Sequence, residues 1–176
     1  MSESTKNHKN HAPKAVNFAV FICSTSRYEA IQKGETTSDA SGDTIEKILK
    51  NAGHNVLFRR IVSDDKNMIE HAVKSIISNP AVEAAIFSGG TGITSRDITI
   101  ETVTPFFEKI LSGFGEFFRQ ISYEKIGTGA VLSRAVAGVV KGKALFCIPG
   151  SPDAARISVE LLISPEAAHI VKHARE

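Results

Sequence analysis

Apolar residues fall in short blocks along this chain, and the period inside each block separates strands from helices. Residues 15–23 (AVNFAVFIC) are apolar almost throughout, as in a strand covered on both faces. Residues 55–62 (NVLFRRIV) alternate in part, and 84–87 (AAIF) form a brief apolar run; both read as strands. So do 137–140 and 144–148, which flank Lys141-Gly142 like the arms of a hairpin. Other blocks carry the helical period. In 39–52, Ile45, Ile48 and Leu49 mark one face, Asp39 or Ser41 can cap the start, and Gly53 follows the end. In 66–78 a second helix is expected, with Ser63 or Asp65 as its cap and Asn79-Pro80 as its stop.

Beyond residue 97 the pattern is less regular. Residues 98–105 (ITIETVTP) are β-branched yet follow a helix-capping Asp, so either state fits. Residues 106–111 read as helical, 112–115 (SGFG) as a turn, and 116–126 as an amphipathic helix marked by Phe117, Phe118 and Ile121. Gly127-Thr128-Gly129 then opens a helix over 130–136, and 154–162 is helical. Ser164 is placed to cap a last helix with Pro165 in its first position. Residues 28–39 are polar around Gly34 and long for a connection, which suits a functional loop or a plain surface excursion. Residues 1–14 have no apolar period and read as a disordered tail whose His8 and His11 are solvated rather than metal-binding. The alternation of strand and helix predicts one α/β domain over 15–176, three-layered around a mostly parallel central sheet. Right-handed crossovers bring its strand ends to one edge.

A length of 176 residues suits a single domain with a real core. The net charge of +2, and the lack of basic runs interleaved with aromatics, argue against a nucleic-acid partner. Cys23 and Cys147 lie inside apolar runs and read as buried thiols rather than a disulfide or a metal pair. No apolar run approaches the length of a membrane span, and the N-terminus has no secretory h-region, so the expectation is a cytoplasmic protein off the membrane.

The chemistry concentrates where 84–87 ends. Ser88-Gly89-Gly90-Thr91-Gly92 places three glycines where backbone can take positive φ and approach a ligand, and Thr94, Ser95, Arg96 and Asp97 add hydroxyls, a cation and a carboxylate. Three further loops, 24–27, 63–65 and 149–153, are expected at the same sheet edge. Together they suit a polyphosphate with a divalent metal, amides and arginines holding phosphate oxygens while carboxylates hold Mg²⁺. There is no Gly-x-x-x-x-Gly-Lys-Ser/Thr, no Gly-x-Gly-x-x-Gly opening the first helix and no Gly-x-Ser-x-Gly, so P-loop, dinucleotide and serine-hydrolase chemistry do not apply.

The ordered set Ser88-Gly-Gly-Thr-Gly92, Ser95-Arg96-Asp97, Gly113-Phe-Gly-Glu116, Leu132-Ser133-Arg134 and Pro149-Gly-Ser-Pro152 resembles the molybdopterin-binding family of molybdenum cofactor biosynthesis. The stretch from Pro165-Glu166 to His169-Ile-Val-Lys-His173-Ala-Arg175 is similar to its B-protein branch, and the resemblance spans 15–176. It implies an enzyme that adenylylates molybdopterin with ATP and Mg²⁺, releasing pyrophosphate, or else a non-catalytic molybdopterin-binding or scaffold protein of the same pathway. It implies Asp64 and Asp97 as catalytic, Mg²⁺-holding acids. Ser88, Gly89, Gly90, Thr91, Gly92, Pro149, Gly150, Ser151 and Pro152 would hold the nucleotide and its phosphates, and Ser133 and Arg134 the pterin or its phosphate. Arg96 and Arg134 either neutralise charge or form structural ion pairs. The resemblance also implies a homo-oligomer, trimer or hexamer.

Overall fold

A computed structural model describes residues 15–176; the expected tail and its two histidines lie outside the described residues. Six strands form one sheet in the order β2-β1-β3-β6-β5-β4. They are β1 (Asn17–Cys23), β2 (Asn55–Val62), β3 (Ala84–Ser88), β4 (Lys109–Ile110), β5 (Val136–Val140) and β6 (Lys143–Ile148). The first four in that order run parallel, while β5 pairs antiparallel with β6 and β4 with β5. Strand order reverses between β1 and β3, and an α/β sheet opens a crevice at the carboxyl ends of such a pair.

The all-apolar runs are explained by the layers above and below them. Phe18, Val20 and Ile22 of β1, Ile86 of β3 and Phe146 of β6 point to one face, against Ile45 and Leu49 of α2 (Ala40–Asn51), Ala155 of α6 (Pro152–Ile157) and Val171 of α7 (Ala167–Ala174). Phe21, Phe87, Leu145 and Cys147 point to the other, against Ile69, Val73 and Ile76 of α3 (Lys66–Ser78) and Val103 of α4 (Thr99–Val103). Both predicted caps form: Asp39 accepts from Gly42 N at 3.0 Å and Asp65 from Met68 N at 2.9 Å. Gly53 ends α2 at φ 85°.

Five segments depart from the sequence reading. Residues Thr25–Gln32 form a helix, α1, capped by Ser24, where an irregular loop was expected; none of its residues is buried, so no apolar stripe marks it. Residues 106–111 are not helical but contain β4, held by Leu111 N to Ala137 O and Glu108 N to Val139 O, both 2.8 Å. The SGFG turn is the first turn of α5 (Ser112–Ile126). Its Gly115 serves close packing, since a Cβ there would lie 2.6 Å from Ala135 O. Residues 130–136 are not a helix: a 3-10 segment, Gly127–Leu132, hands the chain to β5. The last helix starts at Ala167 rather than Pro165, and Ser164 caps nothing, its carbonyl lying 3.1 Å from His54 Nε2. Residues 98–105, open in sequence, are the helix α4 followed by a 3-10 turn, and 154–162 fall in α6 and a π-helical stretch, Ser158–Ile163. Among the described residues no helix is long and apolar enough to cross a membrane.

Candidate functional site

The switch point fixes the site's floor. Ser88 ends β3 and is fully buried, its hydroxyl donating to Pro149 O at 3.4 Å. Gly89 takes φ 107° with its α-carbon against the carbonyl of Cys23, so any side chain there would strike the end of β1. Its N–H donates to Ile148 O at 3.0 Å, which stitches the glycine turn onto β6 and commits that amide to the sheet. Gly90 follows at φ 61° and accepts Thr99 N at 2.9 Å. Among the described residues the N–H groups of Gly90 and Thr91 have no protein acceptor. Gly150, on the loop after β6, packs onto Gly89, a Cβ there reaching its α-carbon at 3.1 Å. These contacts explain the local excess of glycine: two strand ends and two loops meet with no room between them.

The two acids occupy different places. Asp97 is fastened within the loop, its Oδ2 accepting Thr94 N at 2.9 Å and Thr94 Oγ1 at 2.7 Å. The Thr94 hydroxyl, helped by the Thr94 and Gly92 amides and by nearby Arg134, holds its carboxyl below the usual carboxylate range against the opposing effect of burial. The bonds to this carboxylate therefore stabilise the loop fully above the ordinary carboxyl range and are lost only as pH falls through the depressed value. Asp64 sits deeper. Its Oδ2 accepts both the N–H and the hydroxyl of Thr25 at 2.9 Å, which ties the end of β2 to the end of β1. Its Oδ1 is buried without a hydrogen-bond partner, 2.6 Å from where a Gly90 Cβ would stand. Thr99 Oγ1, likewise buried and unpartnered, borders the same point.

A cavity of about 300 Å³ opens over this floor. It is lined by Gly89, Gly90, Thr91, Gly92 and Asp97 on one side, and by Leu132, Ser133, Arg134, Pro149 and Gly150 on the other. Nine of the residues singled out from sequence thus converge on one space. Ser88 lies beneath it, and Asp64 supports Gly90 from behind rather than lining it. Ser151 caps α6 by accepting Ala154 N at 3.2 Å and lines an adjoining cavity of about 380 Å³ that shares Ser133 and Pro149. Pro152 occupies the first position of α6 and lines neither cavity. Arg134 is ion-paired with Glu101 of α4, whereas Arg96 is exposed on the loop. Among the described residues no group of three His, Cys, Asp or Glu side chains gathers as a metal centre. Sequence reasoning placed the 24–27 loop at this edge without giving Thr25 a role, and passed over Glu101; these two place Asp64 and Arg134, partners 39 and 33 residues away along the chain.

This arrangement has relatives. Residues 19–169 match the model of a family described as "Probable molybdopterin binding domain". The chain is 40% identical over 174 residues to "Molybdenum cofactor biosynthesis protein B" of Bacillus subtilis, covering 98% of each. It is 43% identical over 173 residues to "Molybdopterin adenylyltransferase" of Pyrococcus furiosus, covering 96% of this chain and 97% of that one. A solved structure titled "Crystal structure of Molybdenum cofactor biosynthesis protein B" superposes with a TM-score of 0.82 at 40% identity, over 93% of this chain and 98% of the other. Its glycine turn, its switch-point cavity and its nearly full-length likeness to these proteins agree: the chain belongs to the molybdopterin-binding domain family of molybdenum cofactor biosynthesis.

Proposed function

We propose that this protein is a molybdopterin adenylyltransferase: it joins the phosphate of molybdopterin to the adenylyl group of ATP and releases pyrophosphate. A phosphate oxygen of molybdopterin bonds to the α-phosphorus of ATP, the bond from that phosphorus to the α,β-bridging oxygen breaks, and pyrophosphate leaves with the electron pair. The nucleophile is already an anion, so no histidine base is needed, and catalysis reduces to positioning and charge stabilisation. The observation that carries the reading is the pair of uncommitted amides, Gly90 and Thr91, on a cavity whose other walls present Asp97, Ser133 and Arg134. Such amides suit phosphate oxygens. The adjoining cavity past Ser133 and Pro149 gives a second substrate a place of its own.

The donor set also fits Mg²⁺. Asp97 offers an ionised carboxylate on the cavity wall, and Asp64 offers Oδ1, a buried oxygen with no protein partner. When bound, Mg²⁺ would neutralise charge on the polyphosphate. The chain's own work is to hold ATP against the Gly90–Thr91 turn, to set Asp97 through Thr94 and Asp64 through Thr25, and to present Arg134 to the negative charge of the transition state.

The deciding experiment incubates the protein with molybdopterin, ATP and Mg²⁺ and measures adenylyl-molybdopterin and pyrophosphate. Both are expected in equal amounts; neither, with intact substrate, would overturn the enzyme and leave a molybdopterin-binding or scaffold role. We further infer self-association, because Ile110, Phe117 and Leu161 stand exposed on the described fold; the trimer or hexamer is what the family resemblance implies. Light scattering at micromolar concentration checks it, a monomer being the contrary result.

A further inference from the structure

We propose that Thr99 is a positioning residue of the glycine-loop site, its hydroxyl the partner that aims Asp64 once ATP and its cation occupy the turn. The inference rests on the adenylyltransferase reading above. Thr99 opens α4 and is fully buried. Its N–H donates to Gly90 O at 2.9 Å, so its backbone already holds the turn. Its Oγ1 has no protein hydrogen-bond partner, and neither has Asp64 Oδ1. The two oxygens meet one face of Gly90: a Cβ there would lie 2.4 Å from Thr99 Oγ1 and 2.6 Å from Asp64 Oδ1. One belongs to a hydroxyl with a proton to give, the other to a carboxylate that accepts.

A folded chain seldom buries a donor and an acceptor against one residue and leaves both unmade, because water satisfies each of them in the unfolded state. Asp64 is not free to turn away. Its Oδ2 is fixed by the N–H and hydroxyl of Thr25, which leaves Oδ1 directed at Gly90. The buried thiol of Cys23, at the end of β1, feels the same two groups: burial raises its pKa most, the Thr99 side chain lowers it and the charge of Asp64 raises it. Asp64 and Thr99 thus share one buried corner, roofed by Gly90. That roof is the part a ligand can move, since the Gly90 N–H has no protein acceptor among the described residues. A phosphate oxygen that draws this amide toward the cavity lifts the α-carbon off the two oxygens and lets the Thr99 hydroxyl donate to Oδ1. Oδ1 keeps a second lone pair for the cation, and a ligating carboxylate held by such a partner is the usual outer arrangement of a metal site. Loading of the turn is then coupled to the direction of the acid.

Two variants of the full chain separate this from a structural role. Thr99→Val keeps the shape and the N–H but removes the hydroxyl, whereas Thr99→Ser keeps the hydroxyl and removes a buried methyl. Mn²⁺ binding is measured by electron paramagnetic resonance with ATP and without molybdopterin, beside ligand-free melting and turnover with Mg²⁺. Thr99→Val is expected to melt no lower than the unaltered protein, since it sheds an unmet polar group. It should nevertheless bind Mn²⁺–ATP about tenfold more weakly and turn over about tenfold more slowly, the size expected when a ligand loses its outer partner. Thr99→Ser should do the reverse, with binding and turnover within about threefold and melting lowered by a few degrees. Added to Asp64→Asn, Thr99→Val should change Mn²⁺–ATP affinity by less than about twofold, because the two side chains act as a unit. The proposal is overturned by a Thr99→Val protein that melts several degrees lower or fails to fold, by unchanged Mn²⁺–ATP affinity in that variant, or by losses that add to those of Asp64→Asn. No Mn²⁺–ATP binding by the unaltered protein overturns it as well. Mn²⁺–ATP binding without formation of adenylyl-molybdopterin would defeat the enzyme reading alone, and the comparison of affinities still decides the role of Thr99.

Discussion

The four parallel strands and the antiparallel flank are built from similar residues but to different standards of closure. In the parallel half, Phe18, Phe21, Ile22, Ile86, Phe87 and Phe146 are all nearly inaccessible, because helices cover both faces. On the flank, β4, α5 and the 3-10 segment leave Ile110, Phe117, Ile126, Val131 and Leu132 exposed. The cavity lies along the seam: its glycine turn comes from the closed half, its Ser133–Arg134 wall from the open one. A rigid cradle for phosphate thus faces a wall whose neighbours have apolar surface left to bury. The sharpest way to break this contrast is to truncate one phenylalanine on each side. Phe87→Ala should cost about 3–5 kcal/mol, a fully buried ring leaving a cavity. Phe117→Ala should stay within about 0.5 kcal/mol in the monomer, and Phe117→Asp should dissociate any assembly that uses this face. Denaturant melts with light scattering check all three; equal losses for the two alanine variants would erase the distinction.

The next effect falls on the acids. Asp64→Asn and Asp97→Asn nearly preserve shape and remove one charge each. Turnover is expected to fall by about two orders of magnitude in either variant, the size expected when a transition-state electrostatic contact is lost, while molybdopterin affinity changes much less. The structure adds a way to tell the two apart. Asp64 accepts two hydrogen bonds from Thr25 across the β1–β2 ends, so its variant should also melt earlier. Asp97 is bonded only within its own loop and should not. Unchanged turnover in both would remove the catalytic assignment.

The contrast between halves also governs what could be read from the chain. In the parallel half, burial on both faces writes continuous apolar runs, and Asp39 and Asp65 mark their helices by capping, so β1, β2, α2 and α3 are legible nearly to the residue. α1 was not, since a helix that buries nothing carries no period. On the flank, β4 is two exposed residues whose state is set by pairing with β5, which no local pattern encodes. Gly113 and Gly115 suggested a turn, yet Gly115 is needed so that α5 can lie against the Ala135 carbonyl. The site followed the same division. Its glycines and Asp97 are contiguous and were legible. The commitment of the Gly89 amide to β6, the support of Gly90 by Asp64 and the Glu101–Arg134 pair arise only when distant segments meet.

The thiols sharpen the claim that the parallel half is closed. Burial pushes Cys23 up to about 12, against the smaller downward effect of the neighbouring Thr99 side chain, and pushes Cys147 well above its ordinary value. Both are expected to resist a thiol reagent in the native protein near pH 8 and to react fully on denaturation. The folded values are raised, so unfolded thiols ionise first. Stability present below about pH 9 should decline above it by up to about 1.4 kcal/mol per pH unit for each thiol. Rapid native labelling would show that the sheet opens more readily than its packing implies.

The smallest expected effect tests the seam itself. Glu101 on α4 belongs to the closed half and Arg134 to the flank, and their ion pair spans the cavity's edge with both side chains partly exposed, 52% and 32%. A pair this accessible contributes no more than about 1 kcal/mol to stability, because solvent screens it and ordering two long side chains offsets the attraction. Glu101→Gln should therefore leave the melting temperature nearly unchanged. Its consequence for ATP depends on what sets the guanidinium. With the loop after the 3-10 segment holding Arg134, the cation stays on the cavity wall, and ATP affinity should move by no more than about threefold, a shift of about 0.6 kcal/mol. Arg134→Gln removes the cation altogether and should weaken ATP about tenfold, an effect that fades as salt is raised. A tenfold loss already in Glu101→Gln would show instead that the closed half reaches across the seam to aim the arginine. Measuring ATP affinity for both variants at low and high salt separates an arginine placed by its own loop from one placed by its partner.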